Sequence, residues 1–389
     1  MYKGYKVIDS DSHVVEPEDM LYKYLDKKYS SYAGPTKSLV GDPPQWHNDI
    51  TVNGKHWGAP VPGPDPAYVK DEDGNLLTYY QAYKEFIDDD FSSKAYVRYL
   101  DWRGIDFGVH YPTAGLFFGA EADIDAGAAA ALKRAYNDWL YDFCEPGGGR
   151  LIGVGALDLR DVDLAVKEAE RCVKELGFPS VYILPDTPVV GRPINDPYYD
   201  PLWNAISELG VPLGLHSVGP HELNVPGQAQ ITGSRISFAG KVCSFVLGAQ
   251  VTALMFCSGR ILEQNPDLKV VFTESSAGWV PSWLWYLDEM WENEFGDNAF
   301  SSGGIKTAER PSDYFRRQCY VSAEPDEPGI KYVIDFQGDH NILYNTDFPH
   351  PLEARVKNPA DKFLALEGVS DESKRKILWD NAAPLYGLG

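Results

Sequence analysis

Short apolar runs recur along the chain, separated by longer stretches in which apolar residues return every three or four positions. The short runs predict strands at 7–9, 107–111, 151–156, 181–184, 212–216, 270–273, 320–322 and 342–344. The longer stretches predict amphipathic helices over 125–143, 162–175, 201–208 and 237–263, with a last one in 370–388. In the second of these, Val162, Ala165, Val166, Ala169 and Val173 share one face, and Gly177 follows as a stop signal. Ser370 supplies an N-cap for the last. Strands that alternate with helices predict a parallel sheet. Closed on itself, that sheet is a distorted (β/α)8 TIM barrel, with 1–389 as a single domain. An open doubly wound sheet is the alternative, but no Gly-rich dinucleotide fingerprint follows the first strand.

One segment exceeds what a barrel needs. Residues 32–90 are rich in Pro, Gly and aromatics, as in GDPPQWHND, GAPVPGPDP and LLTYYQAY. A connection this long is functional or disordered, and its tryptophans and tyrosines argue for order. It is expected to be an insertion after the first strand that folds over the barrel mouth. Trp46 and Trp57, with His47 and His56, would then close over a substrate.

Composition narrows the partners. Lys and Arg number 35 against 57 Asp and Glu, a net charge of −22. With no basic stripe, nucleic acid and anionic membrane surfaces are excluded as partners. No apolar run reaches the ~20 residues of a membrane span, and the first residues, MYKGYKVIDSD, lack a secretory apolar core. Five scattered cysteines, Cys144, Cys172, Cys243, Cys257 and Cys319, show no C-x-x-C spacing. A cytoplasmic protein with reduced thiols is the expectation. Aromatic residues make up 13% of the chain, enough that some are expected to line a pocket for a small-molecule substrate.

In a barrel, polar residues at the C-terminal ends of strands carry the chemistry. Those ends offer Asp11 and His13 on the first strand, His216 on the fifth, Glu274 on the sixth and Asp347 on the eighth. Asp11 and His13 are two apart, so an extended strand turns both to the same side. Two imidazoles and two carboxylates then meet at one point, a donor set for a divalent metal ion. Zinc is the first choice, with manganese or iron(II) as alternatives. Around this set, Glu16 is expected to position the first loop and His350 to buttress Asp347. His221 is either a substrate contact or an exposed loop histidine, and Trp279 is the tryptophan after the sixth strand expected to face the pocket.

The stretches DSDSHVVEP, GLHSVG and NTDFPHP, with RAYNDWL, DPYYDPLW and the closing KRKILWDNAAPLYGL, resemble the amidohydrolase-related family. This is the branch that holds aminocarboxymuconate-semialdehyde decarboxylase and the aromatic-acid decarboxylases. The resemblance spans nearly the whole chain, least so over 32–90. It implies a barrel with one catalytic metal on Asp11, His13, His216 and Asp347, and Asp347 as the proton-handling residue. The fourth strand's end, SVYIL, has no lysine to bridge two metals. The resemblance also allows a homodimer. In one place the pattern departs: where the decarboxylases end their sixth strand in a histidine, this chain has Glu274 in FTESSAGW. That departure turns the expectation to a hydrolase. Metal-bound hydroxide would attack the carbonyl of an amide, ester, lactone or thioester with a bulky apolar or aromatic group. Asp347 would take the proton, and Glu274 or His221 would shuttle charge. Glu274 could equally orient His216 by a hydrogen bond. The alternative is non-oxidative decarboxylation of an aromatic or dienoic acid.

Overall fold

The computed structural model describes residues 1–40, 45–57, 68–70, 74–118, 121, 123–185, 192–216, 243–296, 304–350 and 359–389. All the predicted strands form: β1 (Ile8–Val14), β2 (Phe107–Pro112), β3 (Leu151–Gly153, continued by Gly155–Ala156), β4 (Val181–Ile183), β5 (Leu213–His216), β6 (Val270–Thr273), β7 (Cys319–Ala323) and β8 (Ile342–Tyr344). Every neighbouring pair is parallel and in chain order. The strands are buried on both faces, so each reads as a near-continuous apolar run such as VVFT or VYI.

Two seams close the ring. β3 breaks at Val154, whose N–H still donates to His110 O of β2 at 3.2 Å, while the N–H of Gly155 turns to Ser180 O at 2.9 Å beside β4. The second seam joins the residues after β8 to β1: Asp347 N–H donates to Asp11 O at 3.0 Å and His13 N–H to Phe348 O at 2.6 Å. The fold is therefore a closed (β/α)8 TIM barrel. Inside it, Gly214 makes room for an aromatic, since a Cβ there would lie 2.7 Å from the Tyr111 hydroxyl.

The outer helices include α1 (Ser93–Arg103), α2 (Ala126–Cys144), α3 (Val162–Lys174), α4 (Asp200–Leu209), α5 (Gly248–Ser258), α6 (Val280–Phe295), α7 (Pro311–Gln318) and α8 (Ile330–Gln337). Gly177 takes the left-handed conformation expected of a stop (φ 71°), and the Ser370 hydroxyl accepts from Ser373 N–H at 3.1 Å. The predicted helix over 237–263 is broken. A Cβ on Gly259 would meet Met255 O at 2.2 Å, the chain turns there through a left-handed Arg260 (φ 69°), and a separate short helix, Ile261–Gln264, follows.

The segment 32–90 carries strands that no apolar run announced: an antiparallel sheet of Ala33–Val40, Gln45–Val52 and Lys55–Trp57, and a hairpin of Tyr68–Lys70 with Leu76–Thr78. Lys55 ties this sheet to the stretch after β2 through Glu121 and Asp123, both at 2.8 Å. At the far end of the segment, Tyr83 and Phe86 pack on Phe348, with ring centroids 5.9 and 5.3 Å apart. Among the described residues no helix is long and apolar enough to cross a membrane. None of the five cysteines is disulfide-bonded.

Candidate metal centre

Asp11, His13, His216 and Asp347, from three strand ends, are all fully buried, and His13 joins two overlapping groups of possible ligands, Asp11 with His13 and His216, and His13 with Glu274, Asp347 and His350. β1 bulges between Asp9 and Ser12, so the strict two-residue alternation is interrupted, yet Asp11 Oδ1 still lies 3.7 Å from His13 Nε2. His216 Nε2 stands 3.3 Å from His13 Nε2 and 3.7 Å from Asp11 Oδ1. Asp347 Oδ1 is 3.3 Å from His13 Nε2.

The tautomer of His13 follows from its other nitrogen. Nδ1 lies 2.7 Å from Pro112 O, and a carbonyl can only accept, so Nδ1 carries the hydrogen. The lone pair on Nε2 then points into the cluster. Burial, then the His350 charge, lowers the pKa of His13 and keeps it neutral. The carboxylates report the same shortage of positive charge. Burial, then the charges of Asp347 and Asp9, pushes Asp11 well above the usual carboxylate range. Burial acts on Asp347 in the same direction, but His350 and His13 outweigh it and hold that carboxyl below its ordinary value. No well-directed hydrogen bond reaches Asp11 Oδ1 or either Asp347 oxygen. Lone pairs and negative charge crowded into one buried space fit a cation better than any arrangement of protons.

The surroundings fix these side chains. His350 stands where the sequence placed it, as a buttress: Nδ1 is 2.7 Å from Asp347 Oδ1, Nε2 is 3.2 Å from Thr113 Oγ1, and its ring stacks on His13 at 3.9 Å. Asp9 accepts from Thr346 N–H at 2.9 Å and from Asp11 N–H at 3.4 Å, tying β1 to the turn that carries Asp347. Burial raises its pKa to about 7 against those bonds. Glu16 accepts from Ala114 and Gly115 N–H at 3.0 and 2.7 Å, so it positions the loop after β2. Glu274 lies against the cluster in two ways: Oε2 is 3.2 Å from His216 Nε2, and its N–H donates to Asp11 Oδ2 at 2.8 Å.

One expectation changes. Trp279 is buried, its N–H donates to Ser276 O at 2.9 Å, and its ring packs on Phe272 and Phe315 at 5.9 and 6.0 Å. It is a core residue beneath the loop rather than a pocket wall, because the turn after β6 folds its indole inward. Glu324, in SAEP at the end of β7, is a further carboxylate at a strand end. Burial, then the charge of Asp347, raises its pKa to about 8. His221 lies outside the described residues, as do the side chains of Trp46, His47, His56 and Trp57, whose backbones run in the antiparallel sheet.

The sequence model of the amidohydrolase family matches residues 90–388. This chain belongs to the amidohydrolase family. The chain is 28% identical over 306 residues to a gamma-resorcylate decarboxylase from Polaromonas sp., covering 75% of this chain and 86% of the relative. Its fold is similar to that of an amidohydrolase from Mycobacterium avium subsp. paratuberculosis, with a TM-score of 0.77, 22% identity, and 99% and 100% of the two chains covered. It is also similar in fold to a dihydroxybenzoic acid decarboxylase from Polaromonas sp. solved with bound manganese and the inhibitor 2-nitroresorcinol. There the TM-score is 0.67, the identity 20%, and the coverage 98% of this amidohydrolase and 97% of that chain.

Proposed function

We propose that this enzyme is a metal-dependent, non-oxidative decarboxylase of an aromatic or dienoic carboxylic acid. The observation that carries the proposal is the likeness to a gamma-resorcylate decarboxylase across three quarters of the chain. It favours lyase chemistry over the hydrolysis expected from the histidine missing at the end of β6.

Asp11, His13, His216 and Asp347 would hold one divalent ion, and manganese replaces zinc as the first choice because a fold neighbour carries it. When bound, the ion would supply positive charge for the substrate carboxylate and a neighbouring oxygen. The chain's own residues then move one proton. Asp347, ionised at rest, is recharged through His350, whose Nδ1 lies 2.7 Å away. It gives that proton to the carbon bearing the carboxylate. The bond from that carbon to the carboxylate breaks, its electron pair returns to the π system, and carbon dioxide leaves without water entering the product. Glu274 orients Asp11 through its N–H, which donates to Asp11 Oδ2 at 2.8 Å, while its carboxylate lies 3.2 Å from His216 Nε2 at the edge of the cluster. Trp46 and Trp57 are the substrate-binding candidates of the segment 32–90, whose far end reaches the site where Tyr83 and Phe86 pack on Phe348, next to Asp347.

Hydrolysis remains a second reading on one observation, a carboxylate, Glu274, set where a general base would stand. The test is to incubate Mn²⁺-loaded enzyme with a panel of hydroxybenzoic acids and aryl esters in ¹⁸O-labelled water. Carbon dioxide release with no label in the product is expected. Labelled acid formed from esters, with no carbon dioxide from any acid, would overturn the decarboxylase.

A further inference from the structure

The turn that follows β6 is held in an unusual shape. Glu274 (φ 47°) and Ser276 (φ 55°) both adopt the left-handed conformation, which costs a residue with a side chain roughly 1–2 kcal/mol. Two such residues this close persist only when their surroundings impose them. What imposes them comes from another strand. Glu327, in the loop after β7, accepts from Ala277 N–H at 3.1 Å with each carboxylate oxygen and from Gly278 N–H at 2.6 Å. A side chain at 278 would push on this contact, since a Cβ there would lie 2.9 Å from Glu327 Oε1. The turn's other end reaches the cluster, where Glu274 N–H donates to Asp11 Oδ2 at 2.8 Å and the Glu274 carboxylate meets His216 at 3.2 Å.

We propose that Glu327 is a positioning residue: by gripping the N–H groups of Ala277 and Gly278 it holds the 274–278 turn so that the Glu274 N–H fixes Asp11 for the cation and the Glu274 carboxylate stays at the edge of the cluster beside His216. The inference rests on the reading that Asp11, His13, His216 and Asp347 bind that cation. It extends the reading to a residue that touches neither cation nor substrate. Oε1 accepts from both N–H groups and Oε2 from Ala277 alone. In Glu327→Gln the charge is lost and one of the two oxygens becomes an NH₂ facing a backbone N–H, so the grip is weakened. In Gly278→Ala the charge is kept and a methyl group displaces the carboxylate from the opposite side.

The experiment measures Mn²⁺ affinity of metal-free protein by calorimetric titration, with far-UV circular dichroism as the check of folding. Partners that orient metal ligands are typically worth 10–100-fold in affinity. Glu327→Gln is expected to weaken Mn²⁺ binding by about tenfold, and Gly278→Ala by a smaller factor in the same direction. A purely structural carboxylate would lower the unfolding temperature and leave the affinity of the folded protein unchanged. Affinities within about twofold of wild type for both variants would overturn the proposal. If Glu327→Gln does not fold, Gly278→Ala decides alone: weakened binding supports the grip and wild-type binding overturns it. The readout needs no turnover. A wild type that binds Mn²⁺ but decarboxylates nothing sinks the reaction and leaves the grip standing, whereas one that takes up no divalent ion overturns both.

Discussion

At the scale of single residues, charge placement decides what each group can do. Asp347 is buried beside His350, whose Nδ1 lies 2.7 Å from Oδ1 and keeps it ionised until a proton arrives. Asp347→Asn removes the proton carrier, so carbon dioxide release at saturating Mn²⁺ is expected to fall by ~10²–10⁴-fold; undiminished release would remove Asp347 from the mechanism. Lys133 sets the opposite problem. It is a buried ammonium that donates to Gly115 O at 3.2 Å and to the Tyr182 hydroxyl at 3.1 Å, and burial lowers its pKa from 10.5 to about 8. Between those values the unfolded chain holds the proton and the folded chain does not, so stability rises with pH across that window. At 1.36 kcal/mol per pKa unit, keeping the charge at neutral pH costs about 3 kcal/mol. Lys133→Met, which loses two hydrogen bonds and the charge together, is expected to be more stable than wild type by about 1 kcal/mol at about pH 7. Urea unfolding should show that advantage vanish by about pH 10; a difference constant with pH would sink the argument. The sequence exposed Asp11, His13, His216 and Asp347 because each ends a recognisable strand. It could not expose Asp9 or Glu327, because their partners are mainly backbone N–H groups, which carry no side-chain signature.

Elements were legible where burial on both faces made the pattern uniform. β5 and β6 read as LGLH and VVFT and fall close to where periodicity placed them. The seams were not legible, because they depend on single contacts. β3 looked continuous over 151–156, yet it breaks at Val154, and its second half is held by α2. Asn137 donates to Ala156 O at 3.0 Å and accepts from Ala156 N–H at 2.7 Å. The same amide donates to Glu168 on α3 at 2.7 Å, so one side chain joins a strand and two helices. Asn137→Leu would strand a buried N–H and a carbonyl and take one donor from Glu168, which keeps its bonds to Arg171. At ~1–3 kcal/mol for each unpaired buried group, with partial relaxation, a loss of about 3 kcal/mol is expected. A shift in the urea midpoint corresponding to less than about 1 kcal/mol would mean that water replaces the amide. The small sheet in 32–90 was hidden for a different reason. Its strands pair antiparallel amid Pro and Gly, and they lack the apolar runs that mark the barrel.

Across the whole molecule, the net charge of −22 acts on everything that approaches the barrel. A divalent cation is drawn in. Bound to the folded chain alone at about 100 times its Kd, it would add about 2.7 kcal/mol to stability. A thermal shift with Mn²⁺ that disappears in Asp11→Ala would report it. A carboxylic acid substrate is an anion at neutral pH and is repelled by the same field. Raising ionic strength from about 10 to about 150 mM shortens the screening length from about 30 to about 8 Å. For the proposed decarboxylase, kcat/KM should therefore rise with salt, by about threefold, while Mn²⁺ affinity falls. That is the reverse of the usual loss of electrostatic steering, since protein and substrate here share a sign. A neutral ester is blind to the field, so hydrolysis would give a flat salt profile. A kcat/KM for an anionic acid that falls as salt is added, measured with the metal site kept saturated, would mean that a local positive surface overrides the net charge at the mouth of the barrel.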